Sequence, residues 1–88
     1  MAKCFRFTVV TAEGIVMECD AGYCRIPEPF GSVGILADHA PMLCAVREGE
    51  ILVRMENGTE KTVRVLAGVA EVRENTVTVL TDRASVSE

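Results

Sequence analysis

The chain has 88 residues, enough for one domain whose shallow core leaves little wall for a deep cleft. Apolar residues make up 49% and charged residues 25%, a globular composition that excludes a disordered chain. Thirteen acidic residues against nine basic ones give a net charge of −4; the basic residues are scattered, which excludes nucleic acid as a partner.

From the N-terminus, Met1 to Arg6 holds no long apolar core and no small-residue cleavage site, so it does not read as a secretory signal. The longest apolar run, Val65 to Ala70, is far below the roughly 18 residues that a membrane-spanning helix needs. The chain is therefore expected in the cytoplasm, reaching a membrane only through a partner and without direct lipid insertion.

Phe5, Phe7 and Val9 alternate with Arg6, Thr8 and Val10, the two-residue period of a half-buried strand. Ala12-Glu13-Gly14 makes a turn. Ile15 to Cys19 resumes an extended run, Asp20-Ala21-Gly22 breaks it, and Tyr23 to Ile26 is a short strand ending at Pro27. Pro27 to Gly34 holds two prolines and two glycines and reads as an ordered loop, with Gly31 and Gly34 serving turn geometry. A short Ile35-Leu36 element and a tight connection, Ala37 to Pro41, follow.

Met42 to Val46 predicts a buried strand, and Arg47-Glu48-Gly49 a turn. Ile51, Val53 and Met55 alternate with Leu52 and Arg54 up to Asn57-Gly58, the pair that best fits a type I′ hairpin turn. The returning strand places Val63, Val65 and Ala67 on one face and Thr62, Arg64 and Leu66 on the other. Gly68 marks a kink or bulge. Val69 to Arg73 and Thr76 to Thr81 are the last two strands, joined by a turn at Glu74-Asn75, and Asp82 to Glu88 is polar. Strands spaced about 8–12 residues apart predict an all-β sandwich or barrel, mostly antiparallel because the connections are short.

Few residues offer chemistry. Cys4, Cys19, Cys24 and Cys44 are expected to be reduced and mostly buried, and their spacing lacks the C-x2-C pairs of a zinc site. The single histidine, His39, follows Asp38 and precedes Cys44 by five residues. A stand-alone small β-sandwich with a Cys/His-based binding or catalytic activity remains the alternative function, but a small β-domain offers little of the electropositive pocket a reactive thiol needs. Gly31 and Gly34 are not followed by the Lys-Ser/Thr of a phosphate loop, so no cofactor or metal is expected.

One segment is more specific. Gly31-Ser32-Val33-Gly34-Ile35-Leu36-Ala37-Asp38-His39-Ala40-Pro41-Met42-Leu43 resembles the G-x-x-G-I-L-x-x-H-A-P signature of the epsilon subunits of F-type ATP synthases, called delta in mitochondria. Phe7 to Glu13 looks like that family's first strand and turn, Val65 to Val72 like its glycine-paired strands, and Asn75 to Asp82 like its closing strand. The paired-glycine site carries Ala67-Gly68 here, and Ala37-Asp38 stands where many members carry Pro-Gly.

The resemblance implies a flattened antiparallel β-sandwich of about ten strands in two sheets over residues 1–83. Residues 84–88 would be a polar tail where the family's C-terminal helical hairpin begins, so the expected fold is the sandwich without that hairpin. It implies a non-catalytic rotor subunit in the central stalk, peripheral on the cytoplasmic face of the bacterial plasma membrane. The gamma subunit would be held around Thr11, His39, Met42 and Cys44. The membrane c-ring would meet Glu28, Pro29, Phe30, Gly31, Ser32 and Val33. Gly31, Gly34, His39, Ala40, Pro41 and Gly68 would shape the motif. Phe30 reads either as an exposed anchor or as a cap on the core. Many members place an acid where Ser32 stands, so either Glu28 would supply the attraction to the ring or the contact would rest on shape and hydrogen bonds.

Overall fold

The computed structural model describes residues 3–87; Met1 and Ala2 of the expected sandwich and Glu88 of the expected tail lie outside the described residues. Among the described residues nine strands form and no helix: β1 (Phe5–Thr11), β2 (Gly14–Glu28), β3 (Gly31–Leu36), β4 (Met42–Val46), β5 (Gly49–Met55), β6 (Glu60–Val65), β7 (Gly68–Arg73), β8 (Thr76–Thr81) and β9 (Ala84–Ser87). They follow one hydrogen-bonded path, β4-β7-β8-β1-β2-β5-β6-β9, with β3 paired to β2.

The long β2 explains how one path makes two layers. Its first half pairs β1 through Ala21, and its second half pairs β5 from Ala21 and β3 from Tyr23 onward. Layer one is β4-β7-β8-β1 with the first half of β2, and layer two is β3, the second half of β2, β5, β6 and β9. The ten strands expected are thus nine, with β2 counted in both layers. Asp20-Ala21-Gly22 does not end a strand: the β2–β5 register shifts between Ala21 and Tyr23, and the strand bends there without stopping.

The sheet is antiparallel except for β1 and β8, which run parallel. Hairpin logic does not predict that pair, because it closes over more than sixty residues of intervening chain.

Alternation fills the space between the layers. Phe5, Phe7 and Val9 of β1 meet Val77 and Val79 of β8, Ile51 and Val53 of β5, and Val63 and Val65 of β6 in one buried cluster. Ala67 leaves the alternation, lying outside any strand and exposed. Residues 84–87, read as part of a polar tail, instead pair with β6, with Val86 opposite Val63.

The turns differ from expectation in an instructive way. Asn57 keeps a negative φ and only Gly58 is left-handed, at 93°. The Gly58 amide donates to the Met55 carbonyl at 3.0 Å, a turn followed by a glycine bulge. Glu74 and Asn75, at 51° and 59°, supply the two positive angles of the type I′ pattern. Asparagine is among the few residues that visit this region, and here tertiary hydrogen bonds hold the Asn75 amide in place. Its Oδ1 accepts from the Asp38 amide at 2.8 Å and its Nδ2 donates to the Cys4 carbonyl at 2.9 Å. One side chain thus ties the β7–β8 turn to the start of β1 and to the 37–41 connection. Asn75→Ala loses both bonds and the left-handed preference, and should cost about 2–3 kcal/mol in urea unfolding.

All four thiols are free, but only Cys24 is buried; Cys4, Cys19 and Cys44 are half-buried. Burial, with smaller contributions from Cys19 and Cys44, pushes the Cys24 thiol up to about 12 from 9.0. The folded chain therefore keeps this proton at pH values where the unfolded chain releases it. Stability should fall as pH rises from about 9 toward 12. Cys24→Val should flatten that part of the profile measured by thermal unfolding.

Candidate interaction site

The two prolines expected to interrupt pairing sit inside or beside a hairpin. β2 and β3 pair from Tyr23 opposite Leu36 to Glu28 opposite Gly31, leaving Pro29-Phe30 as a two-residue tip. Pro27 is tolerated because β2–β5 pairing has ended at Arg25, so the missing donor breaks no ladder bond on that side. The Pro27 carbonyl accepts the Arg47 amide at 2.9 Å, which fixes the base of the hairpin to the end of β4.

The expected foot residues divide by face. Phe30 is fully exposed at the tip, which settles its role against a core cap. Gly31 and Ser32 are exposed, while Val33 packs against the core. Glu28 shares the inward phase of Cys24 and Ile26, and its charge helps burial to raise the Cys44 thiol. Its carboxylate therefore looks toward β4, away from Ser32.

Gly34 is not a turn residue. It lies within β3, where a Cβ would come 3.0 Å from the Tyr23 ring and hydroxyl. The ring covers the bare backbone, and Arg54 stacks over it at 5.1 Å while pairing with Glu60 at 2.9 Å. Gly68 is likewise neither kink nor bulge: it opens β7 opposite Thr81, with the Leu80 carbonyl filling the place of a side chain.

The four residues expected to face a gamma subunit all belong to layer one or its connection, but they do not cluster. Thr11 ends β1 at the Val46 edge of the layer, whereas Met42 starts β4 at the Val72 edge. Thr11 is buried, its Oγ1 accepting from the Glu13 amide at 3.2 Å. Met42 and Cys44 pack against the core. His39 is half-buried, with Nδ1 2.8 Å from the Ala40 carbonyl oxygen, while Ala40 and Pro41 are exposed. Burial and Glu28 hold Cys44 as a thiol, so Cys44 and His39 lack the activated pairing of a nucleophile and its base.

The outward positions of the same strands carry what the sequence reading missed. Ala45 pairs Val69, Val69 pairs Leu80, Leu80 pairs Val10, and Val10 pairs Ile15, one row across β4, β7, β8, β1 and β2. Leu80 is 56% exposed, Ile15 61% and Val69 44%, and Leu43 stands at 71% in the next row. Ile15 shares the sequence phase of the buried Met17, but the register shift between Val9 and Val10 turns it outward. Only the register reveals this row. The opposite end of the face is charged: Arg6 bridges Glu18 at 3.1 Å and Asp20 at 3.2 Å.

The apolar row and the ordered hairpin are the two exposed features of a small β-sandwich. Comparison with known proteins places it. The family model for the ATP synthase delta/epsilon chain, β-sandwich domain, matches residues 4–87, and the chain belongs to that family. It is 40% identical over 81 residues to ATP synthase epsilon chain 1 of Nitrobacter hamburgensis, covering 92% of this chain and 59% of that one. It is 36% identical over 76 residues to the ATP synthase epsilon chain of Delftia acidovorans, covering 86% and 55%. The chain thus spans somewhat over half the length of these relatives.

A chain in the cryo-EM structure of the Euglena gracilis mitochondrial ATP synthase OSCP/F1/c-ring has the same fold, with TM-score 0.90 at 19% identity, over 98% of this chain and 55% of that one. A chain of the Tetrahymena thermophila mitochondrial ATP synthase central stalk/c-ring matches at 0.76 and 15% identity, over 91% and 64%. Among the described residues no helix is long and apolar enough to cross a membrane.

Proposed function

We propose that this chain is a central-stalk subunit of an F-type ATP synthase, joining the gamma subunit to the ring of c subunits and carrying torque without making or breaking bonds. It would act on the cytoplasmic face of the bacterial plasma membrane. The observation that carries the reading is the five-strand apolar row on the outer face of layer one, in a chain of this family. Contiguous apolar surface on a small soluble domain marks a partner's footprint.

The gamma subunit would cover that row. His39 would lie toward one end of the contact, and Thr11, Met42 and Cys44 would support the face from inside. The β2–β3 hairpin, with Phe30 at its tip, would meet the ring. The Arg47–Pro27 hydrogen bond couples the two contacts mechanically, because it joins the end of a gamma-facing strand to the hairpin base.

The test is co-purification of the tagged chain with gamma subunit expressed alone, and then with the assembled ring. Recovery of gamma at one-to-one stoichiometry supports the reading. A monomeric chain that retains neither partner would overturn it.

A further inference from the structure

A second surface lies on the outer face of layer two beside the hairpin tip. A shallow groove of about 320 Å³ is lined by Arg25, Pro27, Gly31, Ser32, Arg47 and Glu50. Its two arginines lack the ion pair that most others in this chain have. Arg6, Arg54, Arg64 and Arg73 each have a carboxylate within 4.0 Å, whereas no carboxylate among the described residues stands that close to Arg25, Arg47 or Arg83. Arg25 points outward from β2, on the face opposite the buried Cys24 and Ile26. Arg47 is held in place by the backbone: its Nε donates to the Glu28 carbonyl at 2.9 Å and its Nη1 to the Glu48 carbonyl at 3.3 Å.

Such a guanidinium has already lost the rotamer freedom that a ligand would otherwise have to take from it. Two guanidiniums against one Glu50 leave the groove with a positive balance in a chain whose net charge is −4. The planar fork of arginine suits a carboxylate, which it can bind through two parallel hydrogen bonds. The Ser32 hydroxyl adds a neutral donor, and the exposed Phe30 adjoins the Gly31 end as an aromatic contact.

We propose that this groove binds a turn or loop of a partner protein that carries an aspartate or glutamate beside an apolar residue. The identity of that partner as the ring rests on the functional reading above; the chemistry of the groove does not. Attraction at the hairpin would then run from arginines on this chain to an acid on the partner, since the Glu28 carboxylate faces away.

The experiment is an NMR titration of the isotopically labelled full chain with a blocked pentapeptide bearing a central aspartate next to leucine. The asparagine peptide, inorganic phosphate and phosphatidylcholine vesicles with and without phosphatidylglycerol serve as comparisons. The aspartate peptide should shift the amides of Gly31 and Ser32 and the side chains of Arg25 and Arg47. The asparagine peptide should bind roughly tenfold more weakly, and Arg25→Gln should lose a similar factor. Arg47→Gln should do the same, and Arg25→Gln remains informative if that change loosens the hairpin base.

Equal binding of the two peptides, shifts confined to another surface, or stronger binding of phosphate or anionic vesicles would each overturn the proposal. The titration needs neither gamma nor ring, so its failure is distinct from failure of the stalk assignment.

Discussion

Gly68→Ala should unfold this domain or cost it about 3 kcal/mol, more than alanine at any other glycine of the chain. Gly68 pairs with Thr81 where β7 begins, and an added Cβ would overlap the Leu80 carbonyl and come 3.1 Å from the Thr81 Cα. Both obstacles are backbone, so no side chain can rotate out of the way. Relief requires β7 and β8 to separate at the point where the Thr81 hydroxyl also donates to the Leu66 carbonyl at 3.0 Å. That separation would propagate, because β8 is the parallel neighbour of β1 and its Val77 and Val79 lie in the core. Urea unfolding of Gly68→Ala beside Gly58→Ala checks this. The space around Gly58 is open, so its cost is limited to its positive φ, about 1 kcal/mol. Equal midpoints for the two variants would show that the sheet absorbs the overlap.

This contrast measures what the amino-acid pattern could reveal. Alternation located β1, β5 and β6, because a strand with one wet face must write a two-residue period into its side chains, and apolar runs between turns located β4, β7 and β8. It could not show β2 as one strand, because Asp20-Ala21-Gly22 has turn composition and the bend is stabilised by pairing on both sides. It found only Ile35-Leu36 of β3, because Gly31 to Gly34 has little strand propensity and Gly34 is covered by the Tyr23 ring of the neighbouring strand. The turns inverted for a similar reason: Asn-Gly has the stronger intrinsic preference, but Asn75 gains two tertiary hydrogen bonds that Asn57 lacks.

The residues expected at the contacts do not share one exposed face. The motif from Gly31 to Leu43 does supply the hairpin and the start of β4. Yet Thr11, Met42 and Cys44 point toward the core side, and the outward row depends on a bulge and a parallel pairing that no local pattern encodes.

Leu80→Asp should abolish capture of the gamma subunit while leaving the isolated domain folded. Leu80 sits mid-row between Val69 and Val10, and its side chain is more than half exposed in the free chain, so the aspartate remains hydrated there. Its effect on folding should stay within about 0.5 kcal/mol. Covered by a partner, the same carboxylate loses its water without gaining a counter-charge, since the ionic cluster of Arg6 is at the far end of the face. Burial of an unpaired charge costs roughly 3 kcal/mol or more, a loss of at least about a hundredfold in affinity. Ile15→Asp, at the end of the row on a different strand, should act in the same direction with a smaller effect. Met42→Asp separates the two faces: Met42 packs against the core, so that variant should lower the urea midpoint as well as gamma binding. Calorimetric titration with gamma, paired with unfolding of each variant, provides both readouts. If Leu80→Asp binds gamma like the parent while Met42→Asp fails to bind at unchanged stability, the partner rests on the edge of β4 and the exposed row is free for something else.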